Sequence, residues 1–320
     1  MNARDARIGV VGATGAVGTV TLRLLHERGY GNVRAFASAR SAGRQLGELT
    51  VEEATADALA AGGLDLVLFS CGTNASRELV PHAVEGGALV VDKSSAYRLE
   101  DGYPLVVPEV NGDRALEAIE TTRVVANPNC SAIPLTCVLK PLHDAAGLQR
   151  VRLSTYQAVS GAGAQRMERL RAQPPGEHDL EFDWTWEGDE TEEESKIRAE
   201  SRKILELPDL PLSATTVRVP VLVGHAQSVW VETEEPLSPE QAESVLAAAP
   251  SVRLVDTPTP SAAAQTDDVL VGRIRPDRAT DLNGLVLFLA CDNLRKGAAL
   301  NALQIAELLL GDARSATQAA

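Results

Sequence analysis

The chain has 320 residues, 44% of them hydrophobic and 23% charged, with 30 Lys and Arg against 44 Asp and Glu and a formal charge of -14. That is too apolar for a disordered protein and long enough for two domains. Such acidity offers no general attraction to phosphate backbones or anionic lipid, so neither nucleic acid nor a membrane surface is an expected partner. With aromatic residues at only 3%, the cores must be built from Val, Leu, Ile and Ala, as in sheets sandwiched between helices.

The first predicted strand covers 7–11, and Gly12-Ala13-Thr14-Gly15-Ala16-Val17-Gly18 follows it directly. Glycines at a three-residue period between a strand and a helix form a variant of the dinucleotide fingerprint: they permit a tight turn, close approach to a pyrophosphate, and exposure of helix N-terminal N–H groups. Tight turns alone also require glycine, so the strand–turn–helix context carries the assignment. The helix is predicted over 16–28, with Gly29 as a left-handed cap. Residues 8–22 carry no charge, but a strand, glycine turn and helix explain them better than a leader peptide does. No export signal or membrane span is read, and a reducing cytoplasm is expected.

A second strand at 33–37 leads to Ser38-Ala39-Arg40-Ser41, where an NAD enzyme would usually carry an acid for the ribose 2′-hydroxyl. An arginine and two hydroxyls suit a 2′-phosphate, so NADP is expected; an ordinary solvent-facing loop arginine is the alternative. Further strands at 65–70, 88–92, 105–107 and 123–126, with helices at 76–85 and 113–119, complete a doubly wound parallel sheet of Rossmann type over 1–129.

Next comes Ala126-Asn127-Pro128-Asn129-Cys130-Ser131, followed by an apolar helix-like run from 132 to 142. A cysteine at a helix N-terminus sits at the positive end of the dipole, which favours the thiolate and makes Cys130 the nucleophile candidate. Cys137, two turns deeper, reads as core, and Cys71 and Cys291 follow apolar strands. The four cysteines show no CxxC spacing and the five histidines do not cluster, so no metal site is expected.

From 150 the rhythm changes to longer strands at 150–160, 215–223, 228–233, 269–274 and 284–291, an α+β domain expected over 130–293. An acidic stretch at 174–196 reads as a surface loop leading into a helix. The last helix, over 294–310 within a 294–320 tail, carries a stripe of small residues suited to packing back on the first domain. His225 ends the run Val217-Arg218-Val219-Pro220-Val221-Leu222-Val223-Gly224. Strict alternation would put Arg218 and His225 on opposite faces, so Pro220 and Gly224 must bend the chain if both serve one site.

Together these residues resemble aspartate-semialdehyde dehydrogenases over nearly the whole chain: GATGAVG at 12–18, SARSAG at 38–43, VVDKSSAYR at 90–98, PLVVPEVN at 104–111, ANPNCS at 126–131, STYQAVSGAG at 154–163, VRVPVLVGH at 217–225 and DNLRKGAALNALQIAE at 292–307. The resemblance implies a Rossmann domain joined to a dimerising catalytic domain of the glyceraldehyde-3-phosphate dehydrogenase-like kind. It implies NADPH-dependent reductive dephosphorylation of L-4-aspartyl phosphate to L-aspartate 4-semialdehyde through a cysteine thioester, on the route to lysine, threonine and methionine. It also implies a homodimer, with pairing of dimers into a tetramer left open.

The resemblance further assigns Cys130 as nucleophile, His225 as general acid/base and Gln157 as the residue orienting the acyl group. Arg218 and Glu194 fall on the contacts to the substrate's α-carboxylate and ammonium, and Arg98, Asn129 and Lys196 on the phosphate contacts. Ser160 and Gly161 lie where the backbone approaches the nicotinamide. Lys93 departs from the family's usual asparagine, Ser195 from a frequent methionine, and 176–190 matches poorly. The rival readings are another acyl-phosphate reductase, such as N-acetyl-glutamyl-phosphate reductase, and a non-catalytic NADP-binding homologue.

Overall fold

The computed structural model describes residues 3–174, 177–280 and 283–311. Two units emerge: residues up to Pro128 with those from Ala298 onward, and Asn129–Gly297.

The first unit holds β1 (Ile8–Val11), α1 (Ala16–Glu27), β2 (Val33–Ala37), β3 (Gln45–Leu46), β4 (Leu49–Glu53), α2 (Ala56–Ala60), β5 (Leu66–Phe69), α3 (Thr73–Glu85), β6 (Leu89–Asp92), α4 (Pro108–Asn111), α5 (Arg114–Glu117) and β7 (Val124–Ala126). Its sheet runs β3-β4-β2-β1-β5-β6-β7, parallel throughout except for β3. All four residues of β1 and of β5 are buried, as expected of strands covered on both faces. The α1 helix buries Gly18, Thr21, Leu24 and Leu25 on one stripe, and Gly29 follows it at φ 78°.

Several boundaries differ from the sequence expectation. The segment at 105–107 is no strand: only Leu105 bridges to Ala126, and Pro108 at once begins α4. The helix expected from 76 starts at Thr73. The β3–β4 hairpin was not anticipated, although Gly47, at φ 63° in a two-residue turn, is a hairpin signal.

The second unit contains α6 (Ala132–Ala146), β8 (Leu148–Gln157), α7 (Ala164–Ala172), β9 (Trp186–Glu187), β10 (Glu190–Thr191), α8 (Glu192–Leu205), β11 (Leu212–Arg218), β12 (His225–Thr233), α9 (Pro239–Ala247), β13 (Val252–Leu254), α10 (Pro260–Ala263), β14 (Val269–Pro276) and β15 (Gly284–Cys291). Its main sheet is mixed, ordered β11-β8-β12-β15-β14-β13. The strand expected over 215–223 ends at Arg218, and β12 starts at His225 instead of residue 228. Pro220 has no N–H to donate to a ladder, and Gly224 takes φ 100°. Residues 219–224 therefore form the turn that carries the chain over β8, so β11 and β12 flank it on either side. Likewise β8 stops at Gln157, and Val159–Ala162 form a 3-10 turn.

A π-helical turn, Arg295–Ala299, precedes α11 (Leu300–Leu309), which belongs to the first unit and is almost wholly buried there. Its polar residues are paired: the Asn301 amide donates to Val106 O at 3.0 Å and Asn127 Oδ1 at 2.8 Å, and Glu307 accepts from Arg28 at 2.6 Å. Residues 312–320 of the expected 294–320 tail lie outside the described residues. Among the described residues no helix is long and apolar enough to cross a membrane.

Candidate functional site

In the first unit the glycine loop joins β1 to α1. Gly12 adopts φ 82°, and a Cβ there would lie 2.4 Å from Ser70 O. A Cβ on Gly18 would lie 2.1 Å from Gly12 O, so only glycine lets the helix pack this close to the turn. Gly15 is the N-cap and supplies no side-chain acceptor to the first-turn N–H groups of Ala16 and Val17. Ala13 is fully buried, and the Thr14 hydroxyl donates to Ser41 Oγ at 3.4 Å, tying this loop to the one after β2. There Ser38 stands at the N-cap position of the 3-10 turn Ala39–Ser41 with its hydroxyl making no capping bond, and Arg40 stands exposed without a carboxylate partner among the described residues. Such a loop could hold a pyrophosphate against the helix N-terminus, and Arg40 could meet a 2′-phosphate.

At the carboxyl edge of the same sheet, buried Asp92 accepts from Ser76 Oγ at 2.8 Å and Ser94 Oγ at 2.6 Å. Lys93 beside it donates to Thr21 Oγ1 at 3.3 Å; burial pulls its amine down to about 7, against the opposing pull of Asp92 and Cys71. Arg98 is held by its own unit, donating to Asn127 O at 3.0 Å and Lys93 O at 2.7 Å. Burial, outweighing a hydrogen bond with Ser76, raises the Cys71 thiol.

In the second unit Cys130 directly precedes Ser131, the N-cap of α6. Asn129 builds the turn that presents it: its Oδ1 accepts from Ser131 N at 2.7 Å, and its own N–H donates to Glu200 at 2.6 Å. On the other side Gly297 is packed so closely that a Cβ would lie 3.3 Å from Cys130 Cβ. Of the other thiols in this unit, Cys137 is buried in α6, and burial pushes Cys291 well up.

From Asn129 an unbroken line of polar contacts leads to the histidine. The Asn129 amide donates to Glu193 Oε2 at 3.0 Å, and Gln157 Nε2 donates to Glu193 Oε1 at 2.9 Å. Arg218 Nη1 donates to Gln157 Oε1 at 3.4 Å and Ala158 O at 3.1 Å, and Ala158 N donates to His225 Nδ1 at 3.0 Å. The sheet order explains this convergence: Arg218, at the end of β11, is in register with Gln157 at the end of β8, and His225 opens β12 on the other side. The condition set by Pro220 and Gly224 is thus met by a turn.

His225 is fully buried, and burial followed by the charge of Arg218 lowers it to about 3, so the ring is neutral. Because Nδ1 accepts, its proton is assigned to Nε2, and that atom has no hydrogen-bond partner among the described residues. A Cβ on Gly161 would lie 3.2 Å from Nε2 and 3.1 Å from Arg218 Nη1. Ser160 is fixed by Asn293, whose amide donates to Ser160 Oγ at 2.9 Å and whose Oδ1 accepts from Gly224 N at 2.9 Å.

Two family models match the chain: the semialdehyde dehydrogenase NAD-binding domain over 7–118 and the semialdehyde dehydrogenase dimerisation domain over 139–185 and 182–296. The chain is 46% identical to the aspartate-semialdehyde dehydrogenase of Corynebacterium melassecola, with 95% of this chain and 99% of that protein aligned. The chain belongs to the aspartate-semialdehyde dehydrogenase family. Among solved structures, aspartate semialdehyde dehydrogenase II from Vibrio cholerae complexed with ASA superposes with TM-score 0.91 at 35% identity, covering 97% of this chain and 99% of that one. The Candida albicans aspartate semialdehyde dehydrogenase with NADP gives 0.75 at 25%, covering 95% and 98%.

One carried-over position needs correction within this family frame. Glu194 is not on the Asn129–Gln157 line: its Oε2 accepts from Thr191 N and its Oε1 from Thr216 N, each at 2.8 Å, so it closes the capping box of α8. The carboxylate facing the two amides is Glu193. A signal for this was present in the sequence, since Thr191 three residues before Glu194 marks the capping pair and frees Glu193 for another task. Lys196 is half-buried and donates to Glu192 at 2.9 Å, one turn back on α8. Asn293 was missed as well, although it stands inside the DNLRKG motif.

Proposed function

We propose that the chain catalyses NADPH-dependent reductive dephosphorylation of L-4-aspartyl phosphate to L-aspartate 4-semialdehyde, a step toward lysine, threonine and methionine. The observation that carries this reading is the line Asn129–Glu193–Gln157–Arg218–Ala158–His225, which begins beside a cysteine at a helix N-terminus and ends on a neutral histidine with an unengaged Nε2–H. The α6 dipole favours the Cys130 thiolate, which attacks the acyl carbon; the bond to the phosphate oxygen breaks and a thioester remains. Arg98 and Lys196 receive the departing phosphate. Gln157 orients the acyl oxygen through its amide, itself fixed by Glu193.

Bound NADPH supplies the hydride that reduces this carbonyl carbon. The Nε2–H of His225 donates a hydrogen bond to the carbonyl oxygen as it takes on alkoxide charge, and collapse of that alkoxide breaks the C–S bond, releasing the aldehyde and returning the Cys130 thiolate. Arg218 holds the substrate's α-carboxylate as a guanidinium fork, and Glu193 takes the ammonium in place of Glu194. Ser160 and Gly161 border the nicotinamide, and Gly12, Ala13, Thr14, Gly15, Ala16 and Val17 with Ser38, Arg40 and Ser41 bind the rest of NADP. The protein acts as a homodimer, supported by the matched dimerisation domain, in a reducing cytoplasm that keeps Cys130 out of disulfides.

The test is phosphate-dependent NADPH formation from aspartate semialdehyde, run beside N-acetyl-glutamate semialdehyde and beside Cys130→Ala. Turnover is expected with the first aldehyde alone, and the variant should lose about four orders of magnitude or more in kcat. Full turnover by Cys130→Ala, or preference for the acetylated aldehyde, refutes the reading.

A further inference from the structure

Arg218 is buried, and most of its hydrogen-bonding capacity is already used. Its Nε and Nη2 both donate to Asp183 Oδ1, at 3.3 and 3.2 Å, and its Nη1 donates to Gln157 Oε1 and Ala158 O. A guanidinium has five N–H groups, so these four bonds leave one. A second carboxylate cannot take a two-point grip on this fork while Asp183 remains. The approach is covered too, because the Trp184 ring lies over the guanidinium at 4.4 Å.

Asp183 and Trp184 belong to residues 181–184, which lie across Arg218 as a strap. Its backbone is fixed there by one antiparallel bridge: Arg218 N donates to Glu181 O at 2.8 Å, and Glu181 N to Arg218 O at 3.0 Å. Arg166 on α7 holds it from the side, pairing with Glu181 and, at 2.8 Å, with Asp183 Oδ2. Charge, more than apolar burial, secures the strap, since Leu180, Phe182 and Trp186 in and around it are each more than half exposed. Pairs of this partly exposed kind are individually weak. A cavity of about 160 Å3 between α7 and the 177–181 stretch, lined in part by Arg166, Glu181 and Arg218, leaves the strap without solid packing on that side.

We propose that Asp183 is a resident carboxylate on the substrate's carboxylate site, and that the 181–184 strap lifts so that the incoming α-carboxylate replaces it on Arg218. The proposal rests on the reading of Arg218 as the substrate's anchor. Asp183 then acts as a built-in competitor: it keeps the guanidinium charge compensated while the site is empty, and it makes a ligand that cannot displace a carboxylate a poor one. Substrate selection depends in this way on a residue the substrate never keeps as a partner.

The test is steady-state kinetics of Asp183→Asn and Asp183→Ala in the aspartate-semialdehyde assay, with succinate as a non-reacting competitor and Arg218→Lys alongside. Removing the competing charge should lower KM for the aldehyde and the inhibition constant for succinate by about three- to ten-fold, with kcat within about two-fold of wild type. Arg218→Lys should raise both constants. If both Asp183 variants raise KM or leave it unchanged while Arg218→Lys raises it, Asp183 merely holds the arginine in place and the proposal is overturned. If Arg218→Lys leaves KM unchanged, the arginine is not the anchor, and that underlying reading fails instead.

Discussion

Replacing His225 by asparagine should remove a specific part of the protein's acid sensitivity. The histidine is fully buried, its Nδ1 is committed to Ala158 N, and Arg218 is nearby, so protonation would cost a hydrogen bond and place two cations together. Its pKa falls from 6.5 in the unfolded chain to about 3 in the fold. A group whose folded value lies below its unfolded value contributes its full stability above the unfolded pKa and loses it as pH falls, because the unfolded chain takes up a proton that the native one refuses. Between pH 7.5 and pH 5 that loss integrates to about 2 kcal/mol, the slope approaching about 1.36 kcal/mol per pH unit below pH 6. Asparagine can still accept from Ala158 N and does not titrate. All three tryptophans, Trp184, Trp186 and Trp230, lie in the second unit, so urea denaturation followed by tryptophan fluorescence at pH 7.5 and pH 5 reports on the unit that holds His225. The wild type should lose about 2 kcal/mol more than His225→Asn over this interval, since other titrating groups cancel in the double difference. Equal losses in the two proteins would show that His225 is not held neutral by its surroundings.

Two further outcomes follow from the same geometry. Glu193→Gln should lower kcat/KM about 10- to 100-fold, because an amide cannot accept from both Gln157 and Asn129 or answer an ammonium, whereas Glu194→Gln should cost about 1–2 kcal/mol of stability and leave the kinetics nearly intact. Steady-state assays and urea melts on the pair distinguish them, and a reversed pattern would restore Glu194 to the site. Gly161→Ala should reduce kcat about 10-fold or more, since the added methyl would press on both His225 Nε2 and Arg218 Nη1; unchanged kcat would mean that neither group needs its present position.

How far these features could be read from the sequence depended on whether residue type or chain direction decides them. Cys130 before an apolar helix, the glycine loop and the missing acid after β2 could be identified because their chemistry requires those residue types. The paths of 215–228 and 105–107 could not, since Val-rich runs look extended whether or not they pair with a neighbour. Pro220 and Gly224 marked the bend, but only the position of β8 between β11 and β12 shows why a bend brings Arg218 and His225 to one peptide. Among three consecutive glutamates, each successive helical residue turns about 100° further round the axis, so assigning a partner to any one of them required the cap at Thr191 to set the phase. The role proposed for Asp183 had no local signal, because it depends on a contact with Arg218 across 35 residues, and Asp183 itself lies in the stretch that fits the family poorly.

The first unit is interrupted: the whole of 129–297 is made before α11, which fills its interior with Leu300, Leu303, Ile305 and Leu309. A nascent chain can therefore shape the nucleotide loop early but must leave a greasy trough open while more than half the protein is still being translated. Completion waits for a single late segment, docked by Glu307 onto Arg28. Ribosome-bound intermediates of this enzyme should accordingly be sticky and dependent on holdase chaperones until that segment emerges.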